Sequence, residues 1–266
     1  MYSSLKIAGK YLRFQISASN GKGHGIHSPF VFEFVTKILN DKKKYPAYSQ
    51  IEKLRKKLLS DNTPVPIEDY GAGSVSVQNT FSRSVASITA GAAKSPKYAQ
   101  LLYRIVKYYR PHYVLELGTS MGISTAYLAS GNEKSVVVTG EGNHVLASMA
   151  KNNFNELNFG NIRIVTGNFD NTLPQMASSL PRVDLAFIDG NHREQPTWNY
   201  FNQLLKRIPA SSMLIFDDIH WSRGMESAWK KIQAHPSAML SVDLFTIGIV
   251  FFRPEFKVKQ HFRIRF

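Results

Sequence analysis

The stretch VLELGTSMGIST, residues 114–125, decides the fold of this chain. A short apolar run leads into a turn that contains Gly118 and Gly122, and a helical pattern follows. Glycine lets the backbone turn tightly and approach a ligand closely. Because ligands of open α/β sheets bind beyond the carboxyl ends of the strands, we expect a cofactor at this turn.

Around this stretch, short apolar runs alternate with helical patterns. The runs cover residues 113–117, 136–139, 162–166, 183–188 and 213–216, and the helices between them about 124–130, 143–157, 171–179 and 194–208. Strands that are apolar throughout and separated by helices indicate a parallel sheet covered on both faces. After a helix at about 222–234, the runs 240–245 and 249–252 predict an antiparallel hairpin, and the tail 259–266 can add one more strand.

The first part of the chain has a different pattern. Ser28 and Pro29 predict the start of a helix that continues to about residue 39, and residues 49–59 predict a basic helix. Residues 60–93 are rich in Ser, Gly, Thr and Pro, which predicts a long loop or lid. We therefore expect a helical extension with a lid or acceptor segment over 1–94, and the cofactor-binding domain over 95–266.

Composition and length fit a globular α/β protein. Of the 266 residues, 43% are hydrophobic and 20% are charged. No apolar run approaches the length of a membrane span, and the first residues lack a signal-peptide pattern, so we expect a cytoplasmic protein. The absence of cysteine excludes disulfides, thiolate metal sites and a cysteine nucleophile.

The net charge of +14 is concentrated early, since residues 1–60 hold twelve basic and three acidic residues. Such charge attracts nucleic acid, anionic lipid or acidic substrates. A solvated basic face on the helices is the alternative interpretation. Nucleic acid therefore stays a partner that the basic N-terminal region could bind.

The acid before the glycine turn narrows the choice of cofactor. A dinucleotide site would show GxGxxG to seat a pyrophosphate, and that pattern is missing here. Glu116 suits a cationic ligand better, and S-adenosylmethionine (SAM) carries an ammonium and a sulfonium. Glu141 ends the next strand, close to where an acid would hold a ribose diol.

This combination resembles the cofactor motifs of class I SAM-dependent methyltransferases over about residues 95–253. The resemblance implies a Rossmann-like fold, here with an expected seven-stranded, mostly parallel sheet, and it implies that Glu141 binds the ribose. The residues implied along the methionine part of SAM are Glu116, Gly118, Thr119, Gly122 and Ser124, and those implied at the adenine are Asn168, Phe169 and Asp170. An ordinary tight turn is the alternative, and residues 69–74 (DYGAGS) are a weaker second candidate for the cofactor loop.

Two acidic motifs follow the fourth and fifth predicted strands, FIDGNH at residues 187–192 and FDDIHW at residues 216–221. Carboxylates that converge at strand ends repel one another unless a cation or protons intervene. A hard ion such as Mg²⁺ would relieve this repulsion and lower the pKa of a bound hydroxyl.

The pairing resembles O-methyltransferases of the catechol and caffeoyl-CoA type, and sugar-hydroxyl methyltransferases with Ile-Asp-Gly-x-His. The resemblance implies metal ligands at Asp189, Asp217 and Asp218, and it places His192 where the catechol enzymes have a lysine base. Asp189 is then also a catalytic residue and a candidate SAM contact. The caffeoyl-CoA type reads Asp-Ala-Asp and then Asp-Asn, so a site without metal stays open.

Each of these residues has a structural alternative. Asp189 could cap the next helix, His192 could only begin it, and Asp217 or Asp218 could be a loop acid. His220 and Trp221 could line an acceptor pocket or simply pack.

The favoured interpretation is a SAM-dependent methyltransferase that acts on a hydroxyl oxygen of a small molecule. The alternatives are a methyltransferase of RNA or protein, a non-enzymatic SAM-fold binding protein, and a nicotinamide-dependent oxidoreductase, whose fingerprint is missing. The sequence does not name the acceptor. Analogy with related small O-methyltransferases suggests a homodimer as one oligomeric state.

Overall fold

The computed structural model of the protein describes residues 1–67 and 81–266. The described residues form two compact units. One is Lys42–Pro181, and the other combines Met1–Asp41 with Arg182–Phe266. The division predicted near residue 94, between an extension and a cofactor domain, stays a prediction.

The secondary structure alternates between helices and strands through most of the chain. The helices are α1 (Ser4–Ser17), α2 (Pro29–Glu33), α3 (Pro46–Leu59), α4 (Val85–Ala92), α5 (Pro96–Tyr109), α6 (Ile123–Gly131), α7 (His144–Glu156), α8 (Phe169–Ser178), α9 (Glu194–Leu205) and α10 (Arg223–Ala234). The strands are β1 (Pro64–Ile67), β2 (Phe81–Ser84), β3 (Tyr113–Leu117), β4 (Val136–Glu141), β5 (Ile162–Thr166), β6 (Leu185–Ile188), β7 (Met213–Asp217), β8 (Leu240–Asp243), β9 (Ile247–Phe251) and β10 (Gln260–Arg263). Each strand and helix predicted after residue 95 is present within a few residues of its expected bounds.

The main sheet is mixed and mostly parallel, with eight strands. In Lys42–Pro181 the strands run in the order β3-β4-β5, all parallel. In the other unit the order is β10-β8-β9-β7-β6, where β9 is antiparallel to both β7 and β8. The predicted hairpin is thus confirmed, and the eighth strand beyond the seven expected is β10 in the C-terminal tail, parallel to β8.

Six strands of the main sheet, β3, β4, β6, β7, β8 and β9, are buried along most of their length, as their apolar sequences predict. Every residue of β6, β7, β8 and β9 is buried. Such strands carry apolar side chains on both faces because helices cover both faces of the sheet. This burial holds the carboxyl ends of β6 and β7 in place, where Asp189 and Asp217 are found.

Helix α2 begins where its capping residues predict. The Ser28 side chain accepts a hydrogen bond from the Val31 amide, and Pro29 occupies the first helical position of α2. The helix continues as a π-helical segment over Phe34–Leu39. Pro46 begins α3 three residues before the predicted start at residue 49, and its missing amide hydrogen costs nothing at this position.

The expectation of a long loop over residues 60–93 was wrong for the part that the structure describes. β1 and β2 pair as an antiparallel ladder, and α4 follows directly. Val65, Val85 and Ile88 are buried in one core cluster with side chains of α3, α5 and α6. These three apolar side chains are enough to hold β1 and α4 against the core, because the two elements are only four and eight residues long. The stretch 69–74 lies outside the described residues.

No helix in the described ranges 1–67 and 81–266 is long and apolar enough to cross a membrane.

Helix α1 is attached to its unit through a cluster of charged groups around His220. The hydroxyl of Tyr2, which precedes the helix, and the ammonium of Lys10 within it both donate to the Glu226 carboxylate, at 2.9 and 2.8 Å. The His220 ring is held on both sides, with Nδ1 3.0 Å from Glu226 Oε1 and Nε2 2.9 Å from Asp243 Oδ2. A neutral imidazole has only one N–H, so two carboxylates are satisfied together only by the protonated ring.

Desolvation by burial lowers the pKa of His220, but the hydrogen bonds and charges of Asp243 and Glu226 outweigh it, so the pKa is raised. A raised pKa means that the folded state binds the proton more tightly than the unfolded chain. The stabilisation is therefore complete below the ordinary histidine pKa of about 6.5 and is lost as the pH rises through the folded-state value.

We therefore predict that His220→Gln destabilises the protein by about 1–3 kcal/mol near pH 6, since hydrogen bonds to two carboxylates are lost. The difference in melting temperature between wild type and variant should shrink between pH 6 and pH 9. Thermal unfolding across this range measures it, with His24→Gln as control because His24 is exposed. A difference that grows with pH would contradict the assignment.

Candidate functional site

The carboxylate of Glu116 joins three elements of the unit Lys42–Pro181. Glu116 is fully buried near the end of β3. Its Oε2 accepts hydrogen bonds from Thr125 Oγ1 in α6 and from Thr139 Oγ1 in β4, the latter at 2.7 Å. The register of the sheet pairs Glu116 with Thr139 directly. The strand that leads into the glycine turn is thus tied to its neighbouring strand and to the following helix.

The second oxygen of this carboxylate has a different environment. Oε1 of Glu116 is buried and accepts no hydrogen bond from the described part of the chain. Desolvation raises the pKa of Glu116 to about 7, against the lowering effect of the hydrogen bonds from Thr125, Thr139 and Ser124. A buried oxygen that accepts no hydrogen bond destabilises the fold by its desolvation free energy unless a donor binds it. An ammonium group such as that of SAM is a donor of the required charge.

The turn after β3 needs glycine for steric reasons. Gly118, Ser120 and Gly122 all have positive φ, at 104°, 46° and 81°. A Cβ atom at Gly122 would overlap the Phe154 ring of α7. The glycine pattern of this turn therefore reflects both the backbone conformation and the closeness of α7.

Hydrogen bonds fix the same turn against β4. The amides of Gly118 and Thr119 both donate to the Gly140 carbonyl, at 3.0 and 3.1 Å. The Thr119 hydroxyl lies 2.6 Å from that of Thr139, which in turn donates to Glu116. Glu116, Thr119 and Ser124 are therefore brought together around one buried carboxylate, as the sequence predicts for a shared site, although their contact with SAM stays a prediction.

Glu141 closes the turn from the end of β4. Its Oε2 accepts a hydrogen bond from the Ser120 amide at 2.7 Å, and its Oε1 accepts one from the Asn143 amide at 3.0 Å. Burial raises the pKa of Glu141, although these backbone hydrogen bonds lower it. The carboxylate thus supports the turn itself, and its predicted role at the ribose stays a prediction.

The residues predicted at the adenine lie at the start of α8. The Asn168 side chain caps this helix by accepting from the Asp170 amide at 2.9 Å. Phe169 is half-buried, and its ring would lie 3.3 Å from a Cβ atom at Gly140. Phe169 therefore borders the end of β4, whereas the Asn168 side chain is exposed and serves the helix start.

Sequence reasoning missed Thr125, Thr139 and Gly140 as parts of this site. Threonine at the end of the apolar run 136–139 was a weak signal, because a hydroxyl in a buried strand needs a partner. The partner is the acid on the neighbouring strand, and only the strand register shows that.

In the other unit, Asp189, His192 and Asp217 lie together. One ligand atom from each falls within 4.8 Å of the others. The grouping follows from the sheet, since Ile188 of β6 pairs with Phe216 of β7 in parallel, which brings the next residue of each strand to the same edge. Asp217 is fully buried, and His192 Nε2 is 3.6 Å from Asp189 Oδ1, too far for a hydrogen bond.

The backbone turns sharply after both strands, with Asn191 at φ 64° and Asp218 at φ 53°. Among the described residues no hydrogen-bond partner is found for the buried His192 Nδ1 or for Asn191 Oδ1. The side-chain Nδ2 of Asn191 donates a hydrogen bond to the Tyr200 hydroxyl at 3.0 Å. A buried imidazole nitrogen with unused capacity can serve a ligand or an acceptor proton.

This group fits a divalent cation. Carboxylate oxygens suit Mg²⁺ and Mn²⁺, and imidazole suits Zn²⁺ and Fe²⁺. Asp218, which the sequence predicts as the third ligand, is outside the group, and His192, predicted as the base, is inside it. The structure therefore presents His192 either as a ligand or as a base, beside two carboxylates.

His220 and Trp221 follow the second motif. Both ring nitrogens of His220 are engaged by Glu226 and Asp243, and the ring stacks on Phe245 at 5.2 Å. The Trp221 amide donates to the Asp218 carbonyl, and its carbonyl accepts from the Tyr2 amide. These contacts account for both residues as supports of the unit Met1–Asp41 with Arg182–Phe266.

Comparison with known proteins agrees with this geometry. Residues 115–219 match the family model of a methyltransferase domain. This range contains both Glu116 and the group of Asp189, His192 and Asp217. Comparison of the sequence with curated proteins gave no significant match.

Three solved structures illustrate the similarity of fold. A methyltransferase of Podospora anserina, bound to S-adenosylhomocysteine (SAH), is similar with a TM-score of 0.59 at 11% identity over 95% of this chain and 97% of that one. The O-methyltransferase TomG of Streptomyces achromogenes, in complex with SAM, gives 0.56 at 15% identity over 79% and 91%. An O-methyltransferase of Bacillus cereus, in complex with SAH, gives 0.54 at 21% over 84% and 97%.

At these identities the structures establish the fold, and the family model establishes the kind of domain within it. Residues 115–219 therefore match a methyltransferase domain, and the chain has the fold of the SAM-bound and SAH-bound methyltransferases compared above.

Proposed function

We propose that this chain transfers the methyl group of SAM to a hydroxyl oxygen of a small molecule. The observation that carries the proposal is the group of Asp189, His192 and Asp217 at the ends of two parallel strands. Two carboxylates and an imidazole are groups that hold a cation and accept a proton, and either function helps a hydroxyl acceptor to lose its proton as it attacks. Two of the similar solved structures are O-methyltransferases, which supports the same proposal.

The residues around the glycine turn would hold the cofactor. When bound, SAM supplies a methyl group on a sulfonium that is already activated toward a nucleophile. Glu116 Oε1 would accept a hydrogen bond from the ammonium, and the Glu141 carboxylate would receive the ribose hydroxyls. Alignment of the reacting atoms is the main task that remains for the protein, and orientation contributes roughly 7–11 kcal/mol in favourable cases.

Asp189 and Asp217 would hold a divalent ion, and His192 would take the proton of the acceptor hydroxyl. When bound, Mg²⁺ would lower the pKa of that hydroxyl. In this arrangement Asp189 faces His192 Nε2, so the buried Nδ1 is the atom available for the proton. A positioned base contributes typically 10²–10⁴-fold to the rate.

The first prediction concerns the cofactor. Calorimetric titration with SAH should show that Glu141→Ala weakens binding at least about ten-fold, because a charged hydrogen-bond acceptor is lost. Glu156→Ala is the matched control, since Glu156 is an exposed carboxylate in an ion pair with Lys57 of the same unit. Equal affinities for wild type and Glu141→Ala, with intact melting temperatures, would show that the ribose lies elsewhere.

The second prediction uses the pKa of Glu116. With a value of about 7, roughly half of the Glu116 side chains carry a proton at pH 7. An ammonium beside the carboxylate lowers its pKa, so binding should release up to about half a proton per site. Calorimetry in two buffers of different ionisation enthalpy measures this release. Glu116→Gln should abolish it, and proton uptake by the wild type would refute the contact.

The third prediction concerns the metal. If methyl transfer depends on Mg²⁺, Asp217→Asn should lose that dependence together with at least about 10²-fold of the rate, since a ligand is neutralised. Asp184→Asn is the control, because Asp184 precedes the neighbouring strand β6, at the end opposite to the group of Asp189, His192 and Asp217. Asp218→Asn distinguishes the two possible ligand sets. It should lose activity if Asp218 is a ligand, as the sequence predicts, and keep it if the ligands are Asp189, His192 and Asp217. Full Mg²⁺-dependent activity in Asp217→Asn would exclude the site.

A further inference from the structure

Helix α1 has an inner face that packs on its own unit. Phe14 is buried, and the rings of Tyr11 and Phe14 contact Phe245 with centroids 5.0 and 5.4 Å apart. On the same side, Lys10 forms its ion pair with Glu226. These contacts account for one side of the helix.

The opposite side of α1 is apolar and open to solvent. Leu5, Leu12 and Ile16 are 87%, 63% and 79% exposed. They are seven and four residues apart, so at 3.6 residues per turn they form one stripe along the helix. Gly9 lies in the same stripe, and a Cβ atom built there would meet nothing within 4 Å. Single exposed apolar residues are common, but a helical stripe of them marks a binding face.

Basic side chains border this stripe on one side. Lys6 and Arg13, also seven residues apart, are exposed. The Lys6 ammonium lies over the Tyr2 ring at 4.2 Å. No acidic residue occurs in residues 1–17, and the whole chain carries a net charge of +14. The face is therefore apolar along its centre and cationic along its edge.

We propose that the outer face of α1 binds an anionic lipid surface, with the helix lying parallel to it. Leu5, Leu12 and Ile16 would enter the boundary between headgroups and acyl chains, and Lys6 and Arg13 would contact the acidic headgroups. A helix with an apolar stripe and a basic flank has the composition of such interfacial helices. This binding concerns attachment of the protein and is independent of the methyl acceptor.

A second copy of the chain fits this face less well. Stable dimers bury about 800 Å² on each partner, and three large side chains on a 14-residue helix offer only part of that area. Two copies packed through the stripe would also bring basic residues toward basic residues. Nucleic acid would use the basic edge but would leave the apolar stripe in water.

The test is flotation of the full-length protein with vesicles of equal parts phosphatidylglycerol and phosphatidylcholine, and with vesicles of phosphatidylcholine alone. At about 0.1 M salt the wild type should bind the anionic vesicles at least about ten-fold more strongly than the neutral ones. Leu12→Ser with Ile16→Ser should lower binding to the anionic vesicles by about ten-fold, as should Lys6→Glu with Arg13→Glu.

The matched control is Lys53→Glu with Lys56→Glu, which changes the net charge equally on exposed positions of α3. It should bind within about two-fold of the wild type. Circular dichroism and melting temperature report whether each variant is folded. If Leu12→Ser with Ile16→Ser unfolds, Leu5→Ser alone replaces it.

Four results would overturn the proposal. The wild type could fail to float with anionic vesicles, or the apolar variant could bind as well as the wild type. Equal losses in the two charge variants would show that total charge, and not α1, determines binding. Light scattering that shows a dimer dissociated by Leu12→Ser with Ile16→Ser, without vesicle binding, would assign the face to a second copy.

Discussion

The buried carboxylate of Glu116 is the interaction on which the arrangement of β3, β4 and α6 depends. Placing an acid inside a sheet is unfavourable, and here Thr125 and Thr139 reduce the cost by donating to one of its oxygens. Those two donors come from α6 and β4, so the same contact sets how the strand, the turn and the helix meet. The oxygen that remains buried without a donor among the described residues points to a cationic ligand.

A similar principle governs the other unit. Asp189 and Asp217 are close because neighbouring parallel strands end at one edge, and their mutual repulsion makes the site selective for cations or protons. A few residues further along the chain, His220 lies between Glu226 and Asp243 and neutralises part of their charge within the fold. Acids beside a histidine thus have two different uses here. One histidine is satisfied on both ring nitrogens, and the other retains a buried nitrogen for chemistry.

Helix α1 links the cluster of His220, Glu226 and Asp243 with the protein surface. Tyr2 and Lys10 reach Glu226, which also holds His220, so the inner side of the helix is fixed by charge as well as by aromatic packing. Such anchoring leaves the outer stripe exposed in a defined orientation. Because the outer apolar side of the helix is exposed to water, it carries an unfavourable hydration free energy that a binding partner would remove.

The sequence by itself determined the order of strands and helices after residue 95, the glycine turn at residues 118–122 and the acids at the strand ends. Local patterns suffice for these features, because burial on both faces demands apolar runs and tight turns demand glycine. Short elements such as β1, β2 and α4 escaped prediction because four to eight residues carry too little periodicity. Only the tertiary structure decided that Glu116 meets Thr139 and that His192, not Asp218, joins Asp189 and Asp217. Those choices depend on strand register and on the turn after each strand, which bring together residues whose spacing in the chain holds no trace of their contact.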